Sequence, residues 1–204
     1  MKTRVFVAAL LSSAAALTGA RAQPAVYELD PDRSFVHFEV QHFATSTLRG
    51  RLGPLRGDVV LDPVARRGEL SLRIPMATLD TGIGVFTERL SQPDLLDTTN
   101  HPEAFFVARQ FRFDTGTSRD GSSNNHSNAL VEVRGEFTLR GISQPLSLFA
   151  RRFGCRPGVG DGRETCGGDF EGTLLRSDFG ATLGLPLVAD RVRLLVQVEG
   201  KRRP

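Results

Sequence analysis

Tryptophan is absent from the 204 residues, and one tyrosine stands against 14 phenylalanines. Aromatic surface with so few hydroxyl or indole N–H groups suits a dry interior better than polar recognition. Histidine is scarce at four residues, and cysteine scarcer at two. His37 and His42 are an odd number apart, which sets them on opposite faces of a regular strand, while His101 precedes a proline and His126 lies in a polar run. There is no H-E-x-x-H, EF-hand loop or paired Cys-x-x-Cys, so no metal site and no cofactor are expected. A G-x-S-x-G elbow is also missing, and no histidine is placed as a base for Ser177 beside Asp178. No catalytic residue is assigned, and an enzyme is not expected.

The one long apolar run stands at the start. Val5 to Leu17 follows Lys2 and Arg4 and is closed by Ala20-Arg21-Ala22, the A-x-A pattern of a secretory leader. It is too short for a membrane span, and no later run is long enough. Residues 1–22 are therefore expected to be removed, leaving one domain over 23–204 in an exported, periplasmic protein that does not span the membrane. The leader carries away Lys2, Arg4 and Arg21 but no acid, so 26 cations against 23 acids become 23 against 23. Zero net charge gives nucleic acid no electrostatic footprint to bind. Export favours oxidation, so Cys155 and Cys166 are expected to form a disulfide closing a Gly-rich loop. A metal site using both is the rival, but no histidine lies near in sequence.

What the chain has in abundance is alternation. In Val131 to Arg140, Val131, Val133, Phe137 and Leu139 fall on one face and Glu132, Arg134, Glu136, Thr138 and Arg140 on the other. Successive side chains of a strand turn to opposite sides, so each such segment has one dry and one wet face. Similar strands are expected from Tyr27, over Ser34–His42, Leu55–Leu61 and Glu69–Met76, and then over Ala104–Phe113, Leu146–Phe153, Asp169–Arg176 and Arg191–Glu199. Phenylalanines fall on both faces of Ala104–Phe113, which leaves its register open and makes a bulge plausible. Gly141–Pro145 reads as a hairpin connection, and Asp114–Asn128 as a polar surface loop. Over Thr87–Asp97 the rhythm changes: Phe86, Leu90 and Leu95-Leu96 recur at near-helical spacing, with Pro93 interrupting, which predicts a short helix able to cap a barrel. So many apolar stripes must be hidden together, in a sandwich or a closed barrel.

Several ordered segments resemble the YceI-like family. They are Leu29-Asp-Pro-Asp-Arg-Ser34, Phe38-Glu-Val-Gln-His42, Leu48-Arg-Gly-Arg51, Gly57-Asp-Val-Val-Leu-Asp-Pro63 and Leu79-Asp-Thr-Gly82. Leu95-Leu-Asp97 with His101-Pro-Glu103, Gly135-Glu-Phe-Thr-Leu-Arg-Gly141, Pro145-Leu-Ser-Leu148 and Arg176-Ser-Asp-Phe-Gly180 complete the set. Together they span essentially all of 23–204. The resemblance implies an all-β, eight-stranded antiparallel barrel of lipocalin type, with a short helical lid and a polyisoprenoid or other long lipid inside. The polar insert at Thr115–Asn128 and the missing tryptophan depart from the family pattern, and the two cysteines occur in only part of it.

On that basis the expected lining is Val36, Phe38, Val40, Ile74, Phe106 and Phe137, continued by Leu139, Phe170, Leu174 and Val196. Phe86, Leu90 and Leu95 form the expected lid. His42 and Arg176 each end an inward stripe and could meet a headgroup at the mouth; the structural alternatives are a histidine bonded to backbone and an arginine paired with Asp178 or another acid. The expected function is carriage or sequestration of a long-chain isoprenoid lipid or isoprenoid quinone. A second reading is a filled barrel that docks a membrane redox protein such as a b-type cytochrome. A third is a hydrolase or isomerase using Asp178, Ser177 or His42.

Overall fold

Residues 24–62, 64–114 and 129–204 are described by a computed structural model. The expected leader over 1–22 and the polar stretch 115–128 lie outside the described residues. Ten strand segments form one antiparallel sheet: β1 (Ala25–Leu29), β2 (Phe35–His42), β3 (Ser46–Leu52), β4 (Arg56–Asp62), β5 (Arg67–Pro75), β6 (Glu103–Phe113), β7 (Leu130–Leu139), β8 (Ile142–Arg156), β9 (Thr165–Leu175) and β10 (Val188–Arg202). The sheet closes because β1 pairs with both β4 and β10.

The barrel nevertheless has eight staves, as expected. β1 and β2 lie end to end along β10, separated by a 3-10 turn at Pro31–Arg33. Asp30 caps that turn by accepting the Asp32 amide at 3.0 Å, and the proline occupies its first position, where a missing N–H costs nothing. β3 and β4 likewise form one interrupted stave, β3 pairing with β2 and β4 with β1. β4 pairs with β5 only from Arg56 onward, so β3 and the far end of β5 diverge. The bridge between Arg51 and Asp80 ties β3 instead to the segment that follows β5. At that end the wall is completed by helix α1 (Gly84–Ser91).

β3 was not expected from the sequence. Its inward positions, opposite Val40, Phe38 and Val36, are Leu48, Gly50 and Leu52. The Phe38 ring lies across Gly50, where a β-carbon would meet it at 2.3 Å. A glycine in the middle of the stripe erased the alternation, and it is there because the ring needs the room.

Bulges explain the remaining face assignments. Ala104, Phe106 and Ala108 of β6 face inward; the register then shifts between Ala108 and Gln110, and Phe111 and Phe113 take over the inner face. Phe105 is left outside. On β7, Phe113 pairs with Leu130 and Arg112 with Glu132, so Val131 is the extra residue. Leu130, not Val131, joins the core. Glu132 stays on the outer face but is buried beneath Arg112 and Arg134, which donate to it at 2.9 and 2.6 Å. Those bonds, Arg134's first, hold its carboxyl below the usual range.

The hairpin between β7 and β8 is tighter than expected. Arg140 and Gly141 alone make the turn, with φ of 52° and 72°, and Ile142 to Pro145 already belong to the strand. Two central residues at positive φ match the twist of the strands they join. Helix α1 begins and ends earlier than expected, and Pro93 follows it: Gln92 is extended, as a residue preceding proline must be. Cys155 and Cys166 pair across β8 and β9 and are disulfide-bonded, so neither sulfur is a free thiolate.

Candidate functional site

One end of the barrel is filled and the other is hollow. At the filled end Tyr27, Leu29, Leu61, Phe111, Phe153 and Phe170 leave a space of only about 60 Å³. Toward the α1 end a cavity of about 510 Å³ opens. That lies within the range of roughly 300–1,000 Å³ usual for small-molecule pockets. The filled core required by the docking reading is therefore not what this barrel contains.

Of the expected lining, Val36, Phe38, Val40 and His42 from β2, Ile74 from β5 and Phe106 from β6 all reach the cavity. So do Phe137 and Leu139 from β7, Leu174 from β9, Val196 from β10, and Phe86, Leu90 and Leu95 from the lid. Phe170 does not. It faces inward as its stripe demands, but lies lower, in the floor against Phe153. Alternation tells which way a side chain points, not how far along the barrel it sits.

Ala104, Leu146, Leu148, Thr81 and Ile83 also line the cavity without having been singled out from the sequence, and two further stretches contribute. Leu48 and Leu52 belong to the unrecognised β3, and Ala181, Leu183 and Gly184 to the connection before β10. That connection has no alternation to read; it begins at Gly180, whose φ of 75° is one that glycine adopts without cost.

Arg176 anchors this connection. Nη1 donates to the carbonyls of Ala181 at 2.5 Å and Leu183 at 2.8 Å, Nη2 to Val188 at 2.9 Å, and Nε to Ala189 at 3.0 Å. Neither Asp178 nor any other acid is its salt-bridge partner among the described residues. The guanidinium is buried, and burial lowers its proton affinity, with Asp190 opposing. Asp190 itself accepts from the Ser177 amide at 2.8 Å and hydroxyl at 2.6 Å. The Ser177 amide and hydroxyl thus bond Asp190 across the connection, while its carbonyl accepts from the Gly180 amide at 2.9 Å within the turn. Phe179 completes the unit, its ring edge-on to Phe137 at 5.6 Å.

The lid is held from several sides. Arg51 and Asp80 exchange backbone bonds of 2.7 and 3.0 Å just before it, and the hydroxyls of Thr81 and Thr87 meet at 3.0 Å. Arg89 grips Asp94 through two bonds of 2.8 and 2.6 Å. Arg140 donates to the Pro93 carbonyl at 2.9 Å and to that of Phe179 at 3.5 Å, tying the far end of the lid to the Arg176 turn. Ile83, Phe86 and Leu183 line the cavity and are also exposed, so they mark its mouth. The few polar lining groups are Thr47, Arg49, Thr81, Arg89, His42 and Arg176, in segments at that same end. The His42 ring is half-buried there, edge-on to Phe43 at 4.3 Å, and makes no hydrogen bond among the described residues.

The outer wall is charged. Arg49, Glu39, Arg193, Glu171 and Arg151 run across five neighbouring strands as a ladder of bonds from 2.6 to 3.0 Å. No helix among the described residues is long and apolar enough to cross a membrane.

Solved structures share this architecture. The YCEI protein of Campylobacter jejuni superposes with a TM-score of 0.63 at 20% identity, over 80% of this chain and 90% of that one. A polyisoprenoid binding domain from Saccharophagus degradans superposes at 0.60 with 18% identity, over 87% and 98%. In sequence, a UPF0312 protein of Pseudomonas aeruginosa is 28% identical over 97% of both chains, and protein YceI of Shigella flexneri 28% over 85% of both. The model of the YceI-like domain matches residues 27–200, and with that match the chain belongs to the YceI-like family.

Proposed function

We propose that the cavity takes the hydrocarbon tail of a long isoprenoid lipid, an isoprenoid quinone or a polyprenyl carrier, and that the protein carries or sequesters it in the periplasm after losing residues 1–22. The observation that carries the reading is the hollow itself: about 510 Å³ walled by aliphatic and phenylalanine side chains, with polar groups gathered at the mouth. A partially polar ligand fits that distribution with its tail inward and its head beside Thr81, Arg89 or His42. The Saccharophagus domain of similar fold, described as polyisoprenoid-binding, agrees with it.

No covalent step is needed. Each CH₂ taken out of water contributes about 0.8 kcal/mol before ordering costs, so a few prenyl units give firm binding with little discrimination of chain length. Filling the hollow tests this directly. Ala104 is buried in the cavity wall, and Ala104→Phe projects a ring into the space. The expected result is a folded protein of unchanged or higher melting temperature that no longer takes up a polyprenol in a fluorescence displacement assay. In a packed core the same ring would cost about 1–3 kcal/mol, and undiminished uptake would remove the tail from this cavity.

A further inference from the structure

The mouth is ringed by three segments without an ionisable side chain: 43–48, 81–87 and 179–189. In a chain with 24% charged residues such gaps are conspicuous, and each is closed by charge, at Arg49, Glu88 and Asp190. The segments are adjacent around the opening. The Phe43 amide donates to the Leu187 carbonyl at 2.7 Å, and His42, Thr81, Ile83 and Leu183 line one cavity. Half of the large apolar side chains exposed among the described residues stand on them, including Val85 at 68%, Leu187 at 59% and Phe43 at 49% exposed. The others are dispersed; Phe149, for instance, is flanked across its strands by Glu132 and Glu171.

From this we infer that the collar formed by Phe43, Ile83, Val85, Leu183, Leu185 and Leu187 docks on the surface of a lipid bilayer. An apolar rim of this kind marks an interaction site. Two features choose the bilayer over another protein. The collar surrounds an opening of a hydrocarbon-lined cavity, so seating it in the acyl boundary joins two apolar phases without a water gap. The three segments themselves carry no charge to be desolvated or to seek a complementary partner: Arg49 and Arg89 at the mouth are already paired with Glu39 and Asp94, and the rest of the charged ladder runs along the barrel wall. Docking is therefore mouth-down, driven by apolar area and insensitive to salt. The inference deepens the carrier reading and rests on it for its purpose, but its measurement is independent.

Vesicle flotation tests it, using the exported chain with neutral phosphatidylcholine vesicles and with vesicles that also contain phosphatidylglycerol. The chain is expected to float with both, equally at low and high salt. Val85→Asp with Leu187→Asp, two exposed side chains outside the cavity lining, should cut the vesicle-bound fraction by roughly tenfold or more while the fold and polyprenol uptake are unchanged. Ala104→Phe should float like the parent chain although its cavity is blocked, so a failure of carriage and a failure of docking give different patterns. The inference is overturned if the parent chain stays unbound, if the double variant floats equally well, or if flotation needs phosphatidylglycerol and is reversed by salt. It is also overturned if sedimentation shows the collar joining two copies in place of vesicle binding.

Discussion

The Phe170 ring lies 6.3 Å from that of Phe153, and together they close the floor beneath the cavity. Leu72, Leu148 and Val196 border both the large space above and the small one below, so this pair and its neighbours set the depth of the cavity. Phe170→Leu keeps an apolar filler but shortens it and is expected to destabilise by about 1 kcal/mol. The lipids extracted from that variant should shift toward longer chains relative to the parent, as read by mass spectrometry; an unchanged distribution would place the limit elsewhere.

Arg140 fastens the lid by its bond to Pro93 while also reaching Phe179. Arg140→Met removes both bonds and leaves the lining untouched. Release of a preloaded fluorescent polyprenol should accelerate by roughly tenfold, the equivalent of about 1.4 kcal/mol, measured by transfer to acceptor vesicles. An unchanged rate would mean that the lid does not gate release.

Stability should fall at both extremes of pH. Arg193 and Arg151 hold the Glu171 carboxyl down to about 2, against an ordinary 4.5, and Glu39 and Glu132 are lowered for the same kind of reason. A depressed acid contributes fully above its unfolded value, and the contribution drains away as pH falls from about 4.5 toward 2. Burial, reinforced by the bond to Glu164, pushes the Tyr27 phenol from 10 up to about 12. Its neutral form favours the fold, so that contribution is intact below 10 and lost as pH climbs toward 12. Urea midpoints should form a plateau between these limbs, and Tyr27→Phe should flatten the alkaline one alone.

The Cys155–Cys166 bond closes a short loop at the end of the barrel away from the mouth. Its removal by paired alanines should cost about 2–3 kcal/mol in the chain-entropy picture. Polyprenol affinity, measured where the variant is fully folded, should stay within about twofold. A large affinity loss would show that this end of the barrel shapes the cavity.

Much of this molecule could be read from alternation alone, because a barrel with a dry interior imposes period two on every stave. The inward faces of β2, β5 and β10 follow directly from their residues. What escaped had specific causes. Gly50 broke the stripe of β3 to make room for Phe38, and the bulges at Arg109 and Val131 reversed parity within β6 and β7. The depth of Phe170 depends on stagger between strands, which one strand's pattern does not encode. Arg176 ends a stripe, but its four carbonyl partners lie in the aperiodic connection (Ala181, Leu183) and the first residues of β10 (Val188, Ala189), reachable only after folding.

Organic extraction of the folded chain of residues 23–204 followed by lipid mass spectrometry bears most directly on the hollow between Val36 and Leu139. An isoprenoid species near one per chain, absent from the Ala104→Phe protein purified in parallel, is the expected finding. A correctly folded chain that yields no lipid and takes up no added polyprenol would contradict a tail-binding cavity.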